Sequence, residues 1–458
     1  MNAYAGAGKP LRGALATNVA KWSLKSAPIG IEKFLKPPPP ADPKDWLDAR
    51  VGWALVAFER DGFNAQQYAT NEDLCAPLRD LLEKRENTLV LRFRPGSDQR
   101  FTLLRDYRNG RQLDIAGSPV GKANGSLPRY LLLVGKPTQQ QLPWSLQYLL
   151  SVNRYVGRLP FDPLHDEALL SPYIHACLND WSDAQCDTDA TLTWAVDHDP
   201  EDITHVMRRS IADAVYEKFA ADADLQLKSI RLTDDQATHA ELHARLSATS
   251  PAMIVTTSHG MTGPIDDAAA MAAQLGVPVD CQHQPMPVEA LLKAWNPSGA
   301  IWYAHACCAA GSDDGSRFDT LLEAGSDAQQ TLVAVGKLGA RAAPLPLALL
   351  AAAKPVRAFV GHVEPTFDWT LKQPATGQLL TSTLIGALYD ELYLGSPVGH
   401  AFRNWYAAAG THYAAWDATK QAFDGKEAAT ASLLYHNLAA RDIQTLVLLG
   451  DPVVRLKA

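Results

Sequence analysis

The sequence predicts an α/β protein built on a mostly parallel sheet flanked by helices. From residue 50 onward, short apolar runs alternate with helical patterns, and strands joined through helices are typical of parallel sheets. The chain has 458 residues, of which 47% are hydrophobic and 20% are charged. A chain of that length can bury a large core without disulfides or structural metal ions.

Ten apolar runs are predicted to be strands, and seven other segments show helical patterns. The strands are expected over 51–58, 88–93, 130–134, 192–196, 227–232, 253–257, 300–304, 331–335, 356–361 and 445–449. The helices are expected over 202–220, 235–247, 265–274, 287–295, 344–353, 377–394 and 397–409. The Gly-rich region 105–127 is predicted to form turns, and the acidic region 162–190 is predicted to be irregular.

Composition divides the chain into three parts. Four consecutive prolines at 37–40 favour extended polyproline geometry, so residues 1–45 are interpreted as an N-terminal arm with a Pro-rich spacer. Residues 46–187 are expected to form an N-terminal α/β subdomain. Residues 188–458 are expected to form a second α/β domain, with 162–190 as the connection between the two.

Charge and hydropathy argue against two classes of partner. The formal net charge is −8 and no Lys/Arg-rich run is present, so no nucleic-acid partner is expected. The longest apolar stretch, near 342–353, contains prolines and is too short to span a bilayer, so no membrane partner is expected.

Targeting and cysteine content predict a cytoplasmic protein. The N-terminus lacks the continuous apolar core of a signal peptide. The cysteines form no CxxC pairs and have no regular spacing, which indicates free thiols in a reducing compartment. They are Cys75, Cys177, Cys186, Cys281, Cys307 and Cys308.

Two predicted strands end in reactive side chains. The strand at 253–257 is followed by Ser258, His259 and Gly260, and the strand at 300–304 is followed by a segment that contains Cys307 and Cys308. Ligand sites of parallel α/β sheets lie at the carboxyl ends of the strands. We therefore expect the His and the cysteines to share one rim of the sheet.

This pairing is suited to acyl transfer by a thiol. A free thiol is mostly protonated at neutral pH, and a neighbouring imidazole can remove its proton and later protonate the leaving amine. His259 is the predicted general base. The backbone N–H groups of Gly260 and Cys308 are the predicted donors to the oxyanion, because glycine leaves its N–H unobstructed.

Simpler interpretations of the His and Cys segments compete with the catalytic one. A His-Gly pair often forms a turn, and a buried Cys is usually an inert small apolar residue. A metal site at His259, His305, Cys307 and Cys308 is disfavoured, because a strand turns Cys308 away from the face shared by His305 and Cys307. Neither a metal nor another cofactor is predicted. The turn at 197–200 follows a strand on the same rim and is interpreted as a helix cap formed by Asp199.

The segments SHG at 258–260 and ACCAAGS at 306–312 resemble the conserved His and Cys segments of caspase-like cysteine peptidases. Metacaspases carry a Cys-Cys-x-x-Gly pattern and legumains a Cys-x-x-Gly-Ser pattern, and both registers identify Cys308 as the nucleophile. CHAT and gingipain-like members place Ala before the catalytic Cys, which instead selects Cys307 after Ala306. Cys308 is preferred at this stage. It follows His259 by 49 residues, close to the caspase spacing of about 50.

Further segments resemble the CHAT/gingipain-like branch over residues 128–458. The resemblance implies a caspase-like catalytic domain over 188–458 and an N-terminal α/β subdomain comparable to a pseudo-caspase unit. The similar segments are YLLLVG at 130–135, VGRLP at 156–160, PVRAFVGH at 355–362, LIGALYDELYLGSPVGHA at 384–401 and LLGDP at 448–452.

The resemblance implies a cysteine endopeptidase that acts on a protein substrate without a cofactor, although some relatives bind structural calcium. Members of this branch often act in bacterial antiviral defence or programmed cell death, held inactive until a partner activates them, and a gasdermin-like protein is one plausible substrate. Metacaspases have an acidic residue where this chain has Ala306, so a preference for Lys or Arg does not transfer. The candidates for substrate binding from elsewhere are Asp280, Asp313, Asp314, Asp368 and Trp369.

The sequence is compatible with two other functions. The chain can be a catalytically silent scaffold or binding module that keeps the fold. It can also be a thiol-dependent hydrolase or acyltransferase of small amides.

Overall fold

A 12-stranded sheet runs through the described part of the chain and positions every residue of the site. The computed structural model describes residues 40–458, except 87, 97–102, 374–375, 424 and 458. Most of the predicted N-terminal arm therefore lies outside the described residues. Residues 42–458 form one compact unit.

The strands of the large sheet are ordered β4-β3-β2-β1-β5-β6-β14-β13-β10-β9-β7-β8, and β11 and β12 form a separate antiparallel pair. The strands are β1 (Trp53–Phe58), β2 (Leu89–Phe93), β3 (Leu103–Asp106), β4 (Arg111–Asp114), β5 (Tyr130–Val134), β6 (Tyr155–Leu159), β7 (Asp187–Ala195), β8 (Ser229–Leu232), β9 (Pro251–Thr257), β10 (Ile301–His305), β11 (Gly311–Ser312), β12 (Arg341–Ala342), β13 (Ala358–His362) and β14 (Leu446–Gly450).

Neighbouring strands of the large sheet are parallel except at β4/β3, β3/β2 and β14/β13. The antiparallel pair β14/β13 reverses the strand direction in the middle of the sheet. The parallel strands β1, β2, β5 and β6 consequently point their carboxyl ends to the edge opposite to that of β7, β8, β9, β10 and β13. The α/β class and the mostly parallel sheet predicted from the sequence are confirmed.

Helices connect the strands. They are α1 (Ala65–Ala69), α2 (Ala76–Lys84), α3 (Trp144–Ser151), α4 (Glu167–Leu178), α5 (Ile203–Met207), α6 (Asp213–Ala221), α7 (His239–Thr249), α8 (Ala268–Gln274), α9 (Val288–Ala294), α10 (Asp327–Lys337), α11 (Pro344–Leu350), α12 (Ser382–Gly386), α13 (Val398–Ala401), α14 (Arg403–Gln421) and α15 (Glu427–Thr445). One π-helical turn joins α5 to α6, and another follows α12. No helix in the described ranges is long and apolar enough to cross a membrane.

Burial on both faces explains why the central strands read as continuous apolar runs. Every residue of β9, β10, β13 and β14 is buried. Parallel strands covered by helices on both faces need apolar side chains in both directions, so they lack polar alternation. The same property makes these strands recognisable in the sequence.

Three local predictions are wrong. The run 331–335, predicted as a strand, lies inside α10, which is capped by Ser326 and buries Leu332, Val335 and Gly336 at helical spacing. The region 162–190 contains α4 rather than irregular chain. The region 105–127, predicted as turns, contains β4, which completes a hairpin with β3.

Asp451 joins the two halves of the sheet at the end of β14. Its fully buried carboxylate accepts hydrogen bonds from Trp53 Nε1 at 3.1 Å and from Arg85 Nη2 at 2.7 Å. The Arg85 guanidinium also lies over the Trp53 ring. One carboxylate of the last strand thus neutralises a largely buried cation of the N-terminal half.

We expect Asp451→Ala to lower the free energy of unfolding by about 3–5 kcal/mol, because it leaves the Arg85 charge buried without its partner. Urea unfolding followed by circular dichroism measures the change. Asp180→Asn is the control, because Asp180 is exposed, pairs with Lys84 at 2.6 Å, and has a φ of 50° that asparagine tolerates. It should change stability by less than about 1 kcal/mol. Equal effects of the two substitutions would contradict the role assigned to Asp451.

Candidate active site

Three neighbouring parallel strands end at one level and deliver the residues of the site. Ala195 of β7 pairs with Thr257 of β9, which in turn pairs with His305 of β10. His259 and Cys307 each follow these aligned residues by two positions, so the register brings them side by side at the rim. β7 and β9 are neighbours in the sheet. From β7 the chain continues to β8 on one side of this pair, and from β9 it continues to β10 on the other side. Such a switch in direction marks the usual ligand crevice of α/β sheets.

Gly260 brings the His and Cys segments into direct backbone contact. A Cβ atom placed on Gly260 would overlap the carbonyl oxygen of Cys307 and lie 2.9 Å from its carbonyl carbon. Only glycine permits this approach without displacing the backbone. The glycine after the His therefore serves the packing of the two segments against each other.

Cys307 is the more accessible of the two cysteines. Its side chain is partly exposed, and its Sγ lies 3.6 Å from the carbonyl oxygen of Thr366 in donor geometry. Burial raises the pKa of the Cys307 thiol to about 11, against a smaller opposing effect of the Thr366 contact. The resting thiol is therefore protonated at neutral pH and needs a base before it can attack.

Cys308 occupies an apolar environment. It is fully buried and clusters with Met271, Leu275, Val335 and Leu338. Its backbone has a φ of 57°, which turns the chain away from the strand direction. Burial also raises the pKa of the Cys308 thiol well above its ordinary value. This environment does not suit a nucleophile that must reach a substrate, so the preference for Cys308 is corrected in favour of Cys307.

His259 is oriented by a carboxylate that the sequence analysis did not assign. Its Nε2 lies 2.9 Å from Oδ2 of Asp202, while the other oxygen of Asp202 accepts from the Thr204 N–H and hydroxyl at 2.8 and 2.5 Å. Burial raises the pKa of Asp202, but the hydrogen bonds from Thr204 and His259 outweigh it and hold the pKa below its ordinary value. An ionised Asp202 can accept a hydrogen bond from the Nε2–H of His259, which leaves the unprotonated Nδ1 as the candidate base.

The oxyanion donors differ by one residue from the prediction. The Cys308 N–H donates to the Glu364 carbonyl at 3.2 Å, so it is already used. Across the described ranges, neither the Gly260 N–H nor the Cys307 N–H donates to an acceptor. The pair of free donors is therefore Gly260 and Cys307, which again agrees with Cys307 as the reacting residue.

A second histidine lies against His259. The ring of His198 stacks between those of His259 and His283, with centroid distances of 5.4 and 4.1 Å. Its Nε2 bonds the Asp280 carbonyl at 3.0 Å. His198, Asp202 and His259 each offer a ligand atom, and these atoms lie within 4.8 Å of one another. These three residues, rather than the cysteines considered from the sequence, can hold a metal ion.

Asp280 is not available to a substrate. Its buried carboxylate accepts from the N–H groups of Gln282 and Gln284 at 2.9 Å each and from the N–H of His239 at 3.3 Å. It organises the loop whose carbonyl bonds His198. The prediction that Asp280 binds substrate is therefore corrected to a structural role.

Asp313 and Asp314 follow the Cys segment. Asp313 lies 4.0 Å from Arg317, and burial raises the pKa of its carboxyl group. Asp314 is exposed, and its N–H donates to Asp313. Their predicted role in substrate binding stays a prediction.

Asp368 and Trp369 belong to the loop that contacts the thiol through the Thr366 carbonyl. Asp368 forms a half-exposed ion pair with Lys372 at 3.3 Å. Trp369 stacks on Phe367 with a centroid distance of 4.3 Å. Both lie in the chain segment next to Cys307, and their contact with substrate stays a prediction.

The sequence analysis missed Asp202 and placed the helix cap at Asp199. Asp202 is the residue that caps α5, while the Asp199 carboxylate accepts from the Glu201 N–H of the preceding turn. A local signal existed: Asp202 is followed two residues later by Thr204 at the start of a helical pattern, on the strand end next to β9. The contact with His259 itself crosses two strands and has no local signature.

Comparisons with known proteins returned no match: no protein-family model, no curated protein and no solved structure is similar to this chain.

We expect Gly260→Ala to lower the free energy of unfolding by about 3 kcal/mol, because the added methyl group must displace the Cys307 backbone. Gly386→Ala is the matched control, since a Cβ there meets nothing nearer than an Asp390 oxygen at 3.5 Å. It should leave stability unchanged or raise it by up to about 1 kcal/mol, because alanine favours the helix. Urea unfolding compares the two, and a neutral Gly260→Ala would refute the close approach.

Proposed function

We propose that the chain is a caspase-like cysteine endopeptidase of the CHAT/gingipain-like kind, with Cys307 as nucleophile, His259 as general base and Asp202 as the residue that orients His259. The observation that carries the proposal is the aligned position of His259 and Cys307 at the ends of β9 and β10, held together by Gly260. A base that is itself fixed by a third group is the general arrangement of activated nucleophiles.

Each step of the reaction has a group in the site. His259 takes the proton of the Cys307 thiol, and the sulfur attacks the carbonyl carbon of the scissile peptide bond. The resulting oxyanion accepts hydrogen bonds from the N–H groups of Gly260 and Cys307. The imidazolium then protonates the leaving amine as the C–N bond breaks. A water molecule, deprotonated by His259, hydrolyses the thioester and restores the thiol.

The resting state of the thiol supports a requirement for activation. Sγ of Cys307 is directed at the carbonyl of Thr366, and its pKa of about 11 keeps it protonated. A rearrangement of the loop that contains Thr366 would release the thiol towards His259. This agrees with an enzyme that awaits an activating partner. The proposed role as a cytoplasmic effector of bacterial defence that cleaves a gasdermin-like protein follows from the sequence resemblance alone.

The first test is cleavage of a diverse peptide mixture by the wild type and four variants, with products read by mass spectrometry. Cys307→Ala and His259→Ala should each abolish cleavage, and Asp202→Asn should lower the rate by about 10²- to 10⁴-fold, as expected when the base loses its orienting carboxylate. Cys308→Ala should retain activity, because Cys308 packs in the core.

Other outcomes distinguish the alternatives. Loss of cleavage in Cys308→Ala alone would restore the first assignment of the nucleophile. A peptide electrophile that fails to label Cys307 in every condition would favour a silent scaffold. Turnover of small amides with no cleavage of peptides or unfolded proteins would favour the small-amide hydrolase.

A separate prediction concerns the pH dependence of Cys307. With a thiol pKa of about 11, the thiolate fraction at pH 7 is about one in 10⁴, and it rises about tenfold per pH unit up to pH 10. We expect the rate of alkylation of Cys307 by iodoacetamide, measured by peptide mass spectrometry in a Cys308→Ala background, to rise with the same slope. A rate that levels off near pH 6–7 would instead indicate a preformed thiolate–imidazolium pair.

A further inference from the structure

We propose that His198, Asp202 and His259 form a binding site for Zn²⁺ and that zinc bound there switches the peptidase off. This inference rests on the proposed function, because the inhibition acts through the general base. Zinc binding at the three residues does not depend on peptidase activity and can be measured separately.

The ligand atoms are already close together. One atom from each residue lies within 4.8 Å of the other two. Tetrahedral zinc with bonds of about 2.0–2.1 Å holds its ligand atoms roughly 3.4 Å apart. Side-chain adjustments of this size need no movement of the strands, because all three residues project from fixed chain at the ends of β7 and β9 or at the start of α5.

His198 has the hydrogen bonding of a metal ligand. Its Nε2 faces the Asp280 carbonyl at 3.0 Å, so this nitrogen carries the proton. Its Nδ1 is buried and has no hydrogen-bond partner within the described residues. Histidines that ligate metals characteristically donate their other N–H to a carbonyl or carboxylate. The unprotonated Nδ1 of His198 therefore has a lone pair that can bind a metal ion, and the proposed peptidase mechanism does not use it.

The neighbours hold this ring in place. His198 is stacked between His259 and His283, with interplanar angles of 14° and 18°. The Asp280 carboxylate, which accepts three backbone N–H groups, fixes the loop that carries the bonded carbonyl. A ring that stacks on two neighbouring rings and is bonded at one nitrogen loses little freedom when a metal binds.

Asp202 supplies the third ligand with its own support. One carboxylate oxygen accepts from the N–H and hydroxyl of Thr204, which leaves Oδ2 directed at His259. Two imidazoles and one carboxylate are a donor set that suits zinc, whereas calcium and magnesium prefer oxygen ligands alone. Three protein ligands leave the fourth position for water.

Zinc and catalysis compete for the same groups. A metal on His259 removes a nitrogen lone pair or the Nε2 proton, and a metal on Asp202 removes the acceptor that orients the ring. The base then cannot take the Cys307 proton. His198 separates the two functions, because it ligates the metal but lies outside the catalytic set of Cys307, His259 and Asp202.

The binding test uses full-length protein with Cys307→Ala, so that the thiol cannot act as a competing ligand. Isothermal titration with Zn²⁺ and the visible spectrum with Co²⁺ should both report one site. Adding His198→Gln should weaken zinc binding at least tenfold. His205→Gln is the matched control, because His205 bonds Asp197 on the same helix start and lies outside the ligand set, and it should bind zinc as before.

The inhibition test measures, for each otherwise wild-type protein, the ratio of peptide cleavage with and without Zn²⁺. His198→Gln should need at least tenfold more zinc for half-inhibition, while His205→Gln should match the wild type. Because each protein is compared with itself, a change that a substitution causes in the zinc-free cleavage rate does not affect the ratio. Excess chelator should restore activity.

Three results would overturn the inference. Zinc binding that is unaffected by His198→Gln would place the metal elsewhere. Equal inhibition of wild type and His198→Gln would mean that zinc acts on the Cys307 thiol. Hydrolysis by the Cys307→Ala protein that appears only with zinc would make the site a catalytic metal centre. Site-specific zinc binding by a protein whose Cys307 is never labelled by a peptide electrophile would uphold the metal site and reject the proposed function, so the two failures are distinguishable.

Discussion

The approach of Gly260 to the Cys307 carbonyl is the constraint on which the site depends. Parallel strands bring their ends to one rim, but side chains normally keep the segments beyond those ends apart. Here the missing Cβ of Gly260 lets the segment after β9 lie directly on the segment after β10. The aligned register then places His259 and Cys307 at the same rim, and the N–H groups of Gly260 and Cys307 have no acceptor among the described residues.

The same side chain often serves both the fold and the site. Asp202 caps α5 through one carboxylate oxygen and orients His259 through the other, so the start of a helix and the position of the base are set together. The two adjacent cysteines instead have one role each, since one belongs to the core and the other to the candidate site. Cys308 turns into the core with a φ of 57°, while Cys307 stays at the surface of the site. The packing of one cysteine thereby fixes the direction of the other.

Buried parallel strands were predictable, and contacts between distant segments were not. The strands β5, β9 and β10 are continuous apolar runs that end in polar residues, which identifies both the fold class and the site rim. The run 331–335 misled because β-branched residues also occur in helices, where burial at helical spacing decides. Asp202 was missed because its partner lies on another strand. The choice between Cys307 and Cys308 depended on a backbone turn that strand alternation cannot indicate.

The opposite direction of the two half-sheets limits how the N-terminal half can influence the site. Its parallel strands β1, β2, β5 and β6 end at the other edge, so those ends contribute no residues to the rim that carries His259. It meets the half that carries the candidate site along β6 and β14 instead. Just before β14, Asp442 accepts hydrogen bonds from Thr366 and Thr370, and the Thr366 carbonyl faces the Cys307 thiol. The end of α15 is therefore bonded to the loop whose Thr366 carbonyl faces the thiol, which ties the position of that loop to the packing of the helix that leads into β14.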